Sequence, residues 1–130
     1  MKKIFFLFFF FFFFTAAQNK LLVEGVSPGL YLTHKIAPQE NYYSIGRIYN
    51  VSPKDIAPFN KLQLEKGLSL GQTIKIPLNS SNFFQSGNAA GDETFVPVYY
   101  KVKDKEGLYR VAKNNNDLPL ETLKQWNKIT

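Results

Sequence analysis

Residues 30–78, LYLTHKIAPQENYYSIGRIYNVSPKDIAPFNKLQLEKGLSLGQTIKIPL, are the stretch that decides the fold. Residues 30–36 alternate in polarity, which places Leu32 and His34 on one face with the apolar ends of the segment and predicts a half-buried strand. Residues 73–78 alternate in the same way and predict a second strand with its isoleucines facing inwards.

Two helices are predicted between these strands. Asn41 is a good N-cap, and apolar residues at positions i, i+3, i+4 and i+7 from Tyr42 predict a helix that ends near Asn50. Ser52 and Pro53 then offer a hydroxyl cap and a proline at the first helical position, which predicts a second helix. The order strand, helix, helix, strand predicts an α+β fold.

The same pattern returns near the end of the chain. Pairs of similar residues recur at an offset of 66 and, after one extra residue within 114–117, at an offset of 67: Lys35 and Lys101, Glu40 and Glu106, Tyr43 and Tyr109, Ile56 and Leu123, Phe59 and Trp126, Asn60 and Asn127. A duplicated module explains this recurrence. We therefore assign a first repeat to residues 30–78 and a second repeat to residues 96–130, with a linker rich in Asn, Ser and Gly at residues 79–95.

The second repeat has no counterpart of the loop and closing strand that complete the first. A strand and two helices without a partner strand expose a sheet edge and half a core. We therefore expect either that a longer protein continues beyond Thr130 or that the second repeat borrows a strand from elsewhere.

Residues 1–17 have the layout of a secretory signal peptide. Lys2 and Lys3 precede an unbroken apolar run at residues 4–14, and small residues follow it, so we predict cleavage after Ala17 and export. A membrane-spanning helix needs ~20 apolar residues, so we expect no stable membrane span after cleavage; an uncleaved anchor is the alternative. Residues 18–29 form a short lead segment before the first repeat.

Composition excludes several function classes. The net charge is +6 at pH 7 and +4 without residues 1–17, and it is spread along the chain without a dense basic run, so nucleic acid is not an expected partner. The chain has no cysteine and a single histidine, His34, which we interpret as a structural strand residue. We predict no catalytic residues, no metal site and no cofactor, and therefore not an enzyme.

The first repeat resembles the LysM (lysin motif) domain family. The resemblance rests on the order and spacing of His34-Lys35-Ile36, Pro38-Gln39-Glu40-Asn41, Tyr42-Tyr43-Ser44-Ile45-Gly46, Tyr49-Asn50-Val51-Ser52, Asp55-Ile56, Phe59-Asn60 and Gly71-Gln72-Thr73-Ile74-Lys75-Ile76-Pro77. The second repeat is similar but divergent, and Tyr100-Lys101-Val102, Gly107-Leu108-Tyr109, Val111-Ala112 and Trp126-Asn127 carry its match.

The resemblance implies small βααβ modules, in which two helices pack on a two-stranded antiparallel sheet. It also implies binding of glycans that contain N-acetylglucosamine, chiefly peptidoglycan or chitin, in a shallow groove between two loops. Carried over by position, the groove of the first repeat would use Pro38, Gln39, Glu40, Asn41, Asn60, Lys61, Leu62 and Leu68. The groove of the second repeat would use Asp104, Lys105, Glu106, Gly107, Lys128 and Ile129.

The chain departs from the family where the groove turn should read Gly-Asp-Thr. Gln39 and Lys105 stand at the glycine position, and this loss of backbone freedom at the groove predicts a changed ligand or weaker binding. Glu40 and Glu106 at the next position could contact the ligand or stabilise the following helix N-terminus. We expect Phe59 and Trp126 to pack in the core and Tyr43 and Tyr109 to lie at the surface.

We therefore predict non-catalytic binding of cell-wall glycan that holds an exported protein, periplasmic or extracellular, on the wall. Two weak linked sites would gain affinity through effective concentration. One alternative is the targeting portion of a wall hydrolase whose catalytic domain is absent from this sequence. Another is an envelope domain that binds a protein partner and no sugar, which the altered turn would favour.

Overall fold

The computed structural model describes residues 20–85 and 96–130. The predicted signal peptide and the later part of the predicted linker lie outside these residues. The described chain forms the strands and helices β1 (Leu21–Val23), β2 (Tyr31–Lys35), α1 (Tyr42–Tyr49), α2 (Pro53–Phe59), a 3₁₀ turn (Leu64–Lys66), β3 (Thr73–Pro77), β4 (Val98–Tyr100), α3 (Leu108–Asn114) and α4 (Leu120–Asn127). Among these helices none is long and apolar enough to cross a membrane.

The first repeat has the predicted order of elements. β2 pairs antiparallel with β3, with Leu32 opposite Ile76 and His34 opposite Ile74. α1 packs on α2, and α2 packs on β3. The buried core consists of Val23, Leu30, Leu32, Ile36, Tyr42, Ile45, Val51, Ile56, Ala57, Ile74, Ile76 and Leu78. The alternation in both strands and the α+β fold are therefore confirmed.

Local capping explains where the two helices of this repeat begin. The Asn41 side-chain oxygen accepts the N–H groups of Tyr43 (2.9 Å) and Ser44 (3.0 Å), and the Ser44 hydroxyl accepts the Asn41 N–H (2.9 Å). These bonds satisfy N–H groups that a helix start leaves unpaired. Ser52 caps α2 in the same way by accepting the Lys54 N–H. Both predicted caps are confirmed.

The predicted core positions of two aromatic residues are wrong. Phe59 is 36% exposed and Trp126 is 48% exposed. Phe59 is the last residue of α2, and its ring meets the edge of the Tyr31 ring at a centroid distance of 6.1 Å instead of entering the core. In the second repeat the described residues provide no strand equivalent to β3, and α4 has no fully buried residue.

The lead segment is more than a connection. β1 pairs with β4 in parallel, with Leu21 opposite Val98, Leu22 opposite Tyr99 and Val23 opposite Tyr100. The second repeat thus takes a partner strand from outside its own sequence, paired in parallel and not in the antiparallel arrangement of β2 with β3. The buried residues of the second repeat are Val111, Ala112, Asn115 and Leu118.

Candidate functional site

The two loops of the candidate groove in the first repeat leave the same end of the β2–β3 sheet. The turn at residues 37–41 follows β2, and the loop at residues 60–72 precedes β3. Ile36 ties them together at their bases, because its N–H donates to the Gln72 carbonyl (2.8 Å) and its carbonyl accepts the Gly71 N–H (2.9 Å). The structure therefore brings the predicted groove loops to one edge of the fold.

Both grooves share an unusual backbone conformation. Gln39 has φ 67° and its counterpart Lys105 has φ 60°; Lys61 has φ 55° and its counterpart Lys128 has φ 53°. Left-handed conformations of this kind cost an L-residue about 1–2 kcal/mol. The loss of glycine at residues 39 and 105 therefore leaves the left-handed turn in place. Its effect on the ligand and on the strength of binding stays a prediction.

Glu40 faces inwards from the turn of the first repeat. Its Oε2 lies 2.7 Å from His34 Nε2 and accepts the Ala37 N–H at 2.8 Å, while His34 Nδ1 lies 2.7 Å from the Tyr49 hydroxyl. Because an ionised carboxylate only accepts, Nε2 carries a hydrogen, and in the neutral ring Nδ1 accepts from Tyr49. This Glu40 cluster joins β2, the turn and the end of α1.

Glu106 forms the corresponding cluster in the second repeat with different partners. Its carboxylate accepts the Tyr100 hydroxyl (2.8 and 2.9 Å to its two oxygens), the Lys103 N–H (2.9 Å) and the Asn114 side-chain amide (2.8 Å). Tyr100 and Lys103 stand 66 residues after His34 and Ala37. The Glu106 cluster therefore performs the same structural task, which is to hold the groove turn against the strand.

These contacts lower the pKa of both glutamates. The hydrogen bond from His34, followed by that from the Ala37 N–H, holds the pKa of Glu40 below its ordinary value of 4.5. The Lys103 N–H, with Tyr100 and Asn114, holds the pKa of Glu106 below the same value. The ionised form is thus favoured in the folded protein.

We expect these clusters to stabilise the protein above about pH 4.5 and to lose that contribution as pH falls through the lowered pKa values. Glu40→Gln with Glu106→Gln should unfold more easily than wild type at pH 7, and the difference should shrink towards pH 3. Urea denaturation at several pH values measures it. Glu65→Gln, on the exposed 3₁₀ turn, is the matched control, and a difference that stays constant with pH would contradict the assignment.

Two asparagines of the predicted groove use their side chains for hydrogen bonds to the backbone of the fold. Asn41 caps α1, as described above. Asn60 donates from Nδ2 to the carbonyls of Ile56 (2.8 Å) and Lys75 (2.7 Å), and its Oδ1 accepts the Lys75 N–H (2.7 Å). The Asn60 side chain therefore pairs with the outer edge of β3 as a neighbouring strand would.

The surface of the first groove is formed by the remaining predicted residues. Pro38, Gln39 and Lys61 are exposed, and Leu62 and Leu68 are half-buried against the core. This combination offers a small apolar surface, a cationic side chain and the backbone of two loops. It provides the hydrogen bonds and apolar contact that binding a ligand requires.

The second groove is more open. Asp104, Lys105, Gly107, Lys128 and Ile129 are all exposed, the last by 42%. A shallow cleft of about 550 Å³ adjoins Asp104 and is lined by Val23, Glu24 and Gly25 of the lead segment and by residues 100–104. Within the described residues, no group of three or more His, Asp or Glu side chains could hold a metal ion.

Sequence reasoning missed the partners of the two glutamates and the contribution of the lead segment. His34 and Tyr100 were detectable, since each places a polar side chain on the inward face of a strand at equivalent positions. Tyr43 and Tyr109 are exposed by 64% and 68%, as expected. No pattern in residues 20–29 indicated their pairing with β4.

A comparison with known protein families matches both repeats to the same family model. The LysM domain model matches residues 34–77 and 100–130, which is more than half of the chain. No curated protein and no solved structure matches the chain significantly.

Proposed function

Because the chain belongs to the LysM domain family, whose members are generally non-catalytic modules that bind glycans containing N-acetylglucosamine, we propose that it is an exported protein that binds peptidoglycan and is held on the cell wall. The first binding unit is the repeat at residues 30–78, and the second is the repeat at residues 96–130. Each binds the glycan between its two groove loops. Residues 79–95 connect them.

The recurrence of the groove geometry is the observation that carries this proposal. Left-handed residues stand at equivalent places in both pairs of loops, and an inward glutamate holds both turns. Glu40, Asn41 and Asn60 act as supports, and so the ligand meets Pro38, Gln39, Lys61, Leu62 and Leu68. The N-acetyl group requires amide partners and an apolar contact for its methyl group, and exposed loop backbone with Leu62 and Leu68 supplies both.

One observation favours a second candidate, an envelope domain that binds a protein. Most polar side chains of the first groove are engaged within the fold, while Tyr43 and Tyr109 are widely exposed outside both grooves. Exposed tyrosines are typical of protein interfaces. The binding experiment below separates the two candidates.

We expect residues 18–130 to sediment saturably with purified peptidoglycan sacculi and with chitin. Lys61→Glu with Lys128→Glu should abolish sedimentation, because it places a carboxylate in each groove while preserving the left-handed positions. Arg47→Glu with Arg110→Glu makes the same change of charge on exposed helix positions and should leave sedimentation unchanged.

Two results would contradict the glycan proposal. Equal losses in both double variants would mean that the positive charge of the chain, and not the grooves, attracts it to an anionic wall. Absence of sedimentation by a folded wild-type chain would favour the protein-binding candidate, with Tyr43 and Tyr109 as the surface to examine next.

A further inference from the structure

The lead segment contacts both repeats at once. Towards the first repeat, Glu24 exchanges two backbone hydrogen bonds with Tyr31 (2.9 and 3.0 Å), and Val23 is buried in the core with Leu30 and Leu32. Towards the second repeat, β1 pairs along the whole of β4. Four residues of the lead segment, 21–24, therefore connect two modules that are far apart in the sequence.

Backbone alternation shows which edge of β4 this contact uses. Leu30 and Ile36, which flank β2, bond on the side of β2 where β3 lies, whereas Tyr31 bonds to Glu24 on the opposite side. Tyr99 is the counterpart of Thr33, which shares the alternation of Tyr31. Because Glu24 bonds to Tyr31, the alternation along the lead strand directs the backbone groups of Leu21 and Val23 to its other side, and the register with β4 places those of Tyr99 opposite them.

Contacts beyond the strands reinforce the connection. The Ser27 N–H donates to the Asn114 carbonyl (3.2 Å), and the Ser27 hydroxyl donates to the Asn116 side chain. The Gln85 side chain donates to the Asn115 carbonyl at 2.7 Å. Lys20 Nζ lies 5.1 Å from the centre of the Tyr99 ring, within the range of a cation–π contact. We call this set, residues 20–29 and Gln85 with β4 and residues 114–116, the joint.

Apolar packing also crosses the joint. Leu21 and Val98 are both partly buried against the core of the first repeat. The second repeat thus shares core contacts with the first through its own strand. If only a flexible tether joined the repeats, both apolar side chains would be exposed to water. Their burial therefore stabilises the arrangement in which the repeats are in contact.

We propose that the joint fixes the two candidate grooves relative to each other, so that the protein selects polymeric glycan over short oligosaccharides. The proposal rests on glycan binding by both repeats, as proposed above. It concerns the partner and not the chemistry of each groove: the preferred ligand is a glycan chain or network that offers two binding positions at the fixed separation.

The physical reason is the effective concentration of the second site. When one groove is occupied, a fixed second groove meets a polymer at a high local concentration, and linked sites of this kind gain about 10²–10⁴ in affinity where geometry permits both to bind. A tetrasaccharide that fills one groove gains nothing. A tether without the joint distributes the second groove over many positions and lowers the gain.

Tyr99→Pro tests the joint, with Tyr99→Ala as its matched control. Both variants lose the tyrosine ring, but only proline removes the backbone N–H directed at β1. We expect Tyr99→Pro to bind sacculi at least about 10-fold more weakly than Tyr99→Ala, while both bind chitotetraose as wild type does. NMR relaxation should show one tumbling unit in wild type and in Tyr99→Ala, and two units in Tyr99→Pro.

A second variant protects the test against misfolding of β4. Ser27→Ala with Gln85→Ala removes two side-chain hydrogen bonds of the joint and leaves both strands intact, so it should weaken sacculus binding in the same direction, by less. Sacculus binding that is unchanged in Tyr99→Pro, or repeats that tumble independently in wild type, would overturn the joint alone. A wild-type chain that binds neither sacculi nor chitotetraose would overturn the proposed function as well.

Discussion

Asn60→Ala is expected to lower the free energy of unfolding of the first repeat by about 2–3 kcal/mol. The Asn60 side chain makes three hydrogen bonds, one within α2 and two to Lys75 on β3. A hydrogen bond contributes about 1 kcal/mol net, and the substitution also leaves both backbone groups of Lys75 without their partner. Without these hydrogen bonds, the end of α2 is no longer connected to β3 through residue 60.

Asn127→Ala is the matched control, because Asn127 occupies the equivalent position in the second repeat. Its side chain makes only the bond to the Leu123 carbonyl (2.8 Å), which corresponds to the Asn60 bond to Ile56. We expect a loss of about 1 kcal/mol. Amide hydrogen exchange at Ile76 and Val111 reports on each repeat separately, and equal losses from the two substitutions would contradict the role assigned to Asn60.

Gly46→Ala is the second substitution with a large expected effect, a net loss of up to about 2 kcal/mol. A Cβ atom at residue 46 would lie 2.6 Å from the Val51 carbonyl oxygen and 3.3 Å from Pro53 Cδ. The first contact is with backbone and cannot be relieved by rotating a side chain. Crowding of this kind costs about 1–3 kcal/mol, which exceeds the gain of about 1 kcal/mol in helix propensity.

The second repeat allows the reverse substitution, alanine to glycine, at the position equivalent to residue 46. Ala112 is the counterpart of Gly46 and is 94% buried, since only 6% of its surface is exposed. The connection that follows contains one extra residue and two left-handed residues, Asn116 at φ 61° and Asp117 at φ 52°, so it differs from the connection after Gly46. Ala112→Gly should therefore destabilise by about 1 kcal/mol. Thermal unfolding of both variants measures the two effects, and stabilisation by Gly46→Ala would show that the turn is not crowded.

The features that sequence predicted best are local. A cap such as Asn41 or Ser52 acts on N–H groups two or three residues away, so its role is visible in the sequence alone. The polar–apolar alternation of β2 and β3 is likewise visible in the sequence, because the apolar side chains on one face of each strand are the ones that must be buried. The duplication then transferred the same elements to the second repeat, and the α+β fold followed from their order.

Features that depend on distant contacts could not be predicted in this way. Phe59 follows the helical pattern of an inward residue, yet the end of α2 directs it to Tyr31 at the surface. Glu40 is adjacent to a groove in the sequence, but the side chain turns towards His34 because an imidazole and a free N–H lie behind it. Which of two directions a side chain takes depends on neighbours that only the folded chain brings together.

The parallel pairing of β1 with β4 also has a consequence for the order of folding. The β2–β3 pair of the first repeat and the helix pairs close over shorter stretches of chain, whereas Leu21 and Val98 lie 77 positions apart in the sequence. Closing a longer loop costs more chain entropy, and contacts of high sequence separation slow folding. The first repeat can assemble while the second is still being synthesised, and its lead strand, already anchored through Val23, then offers an edge with which β4 pairs.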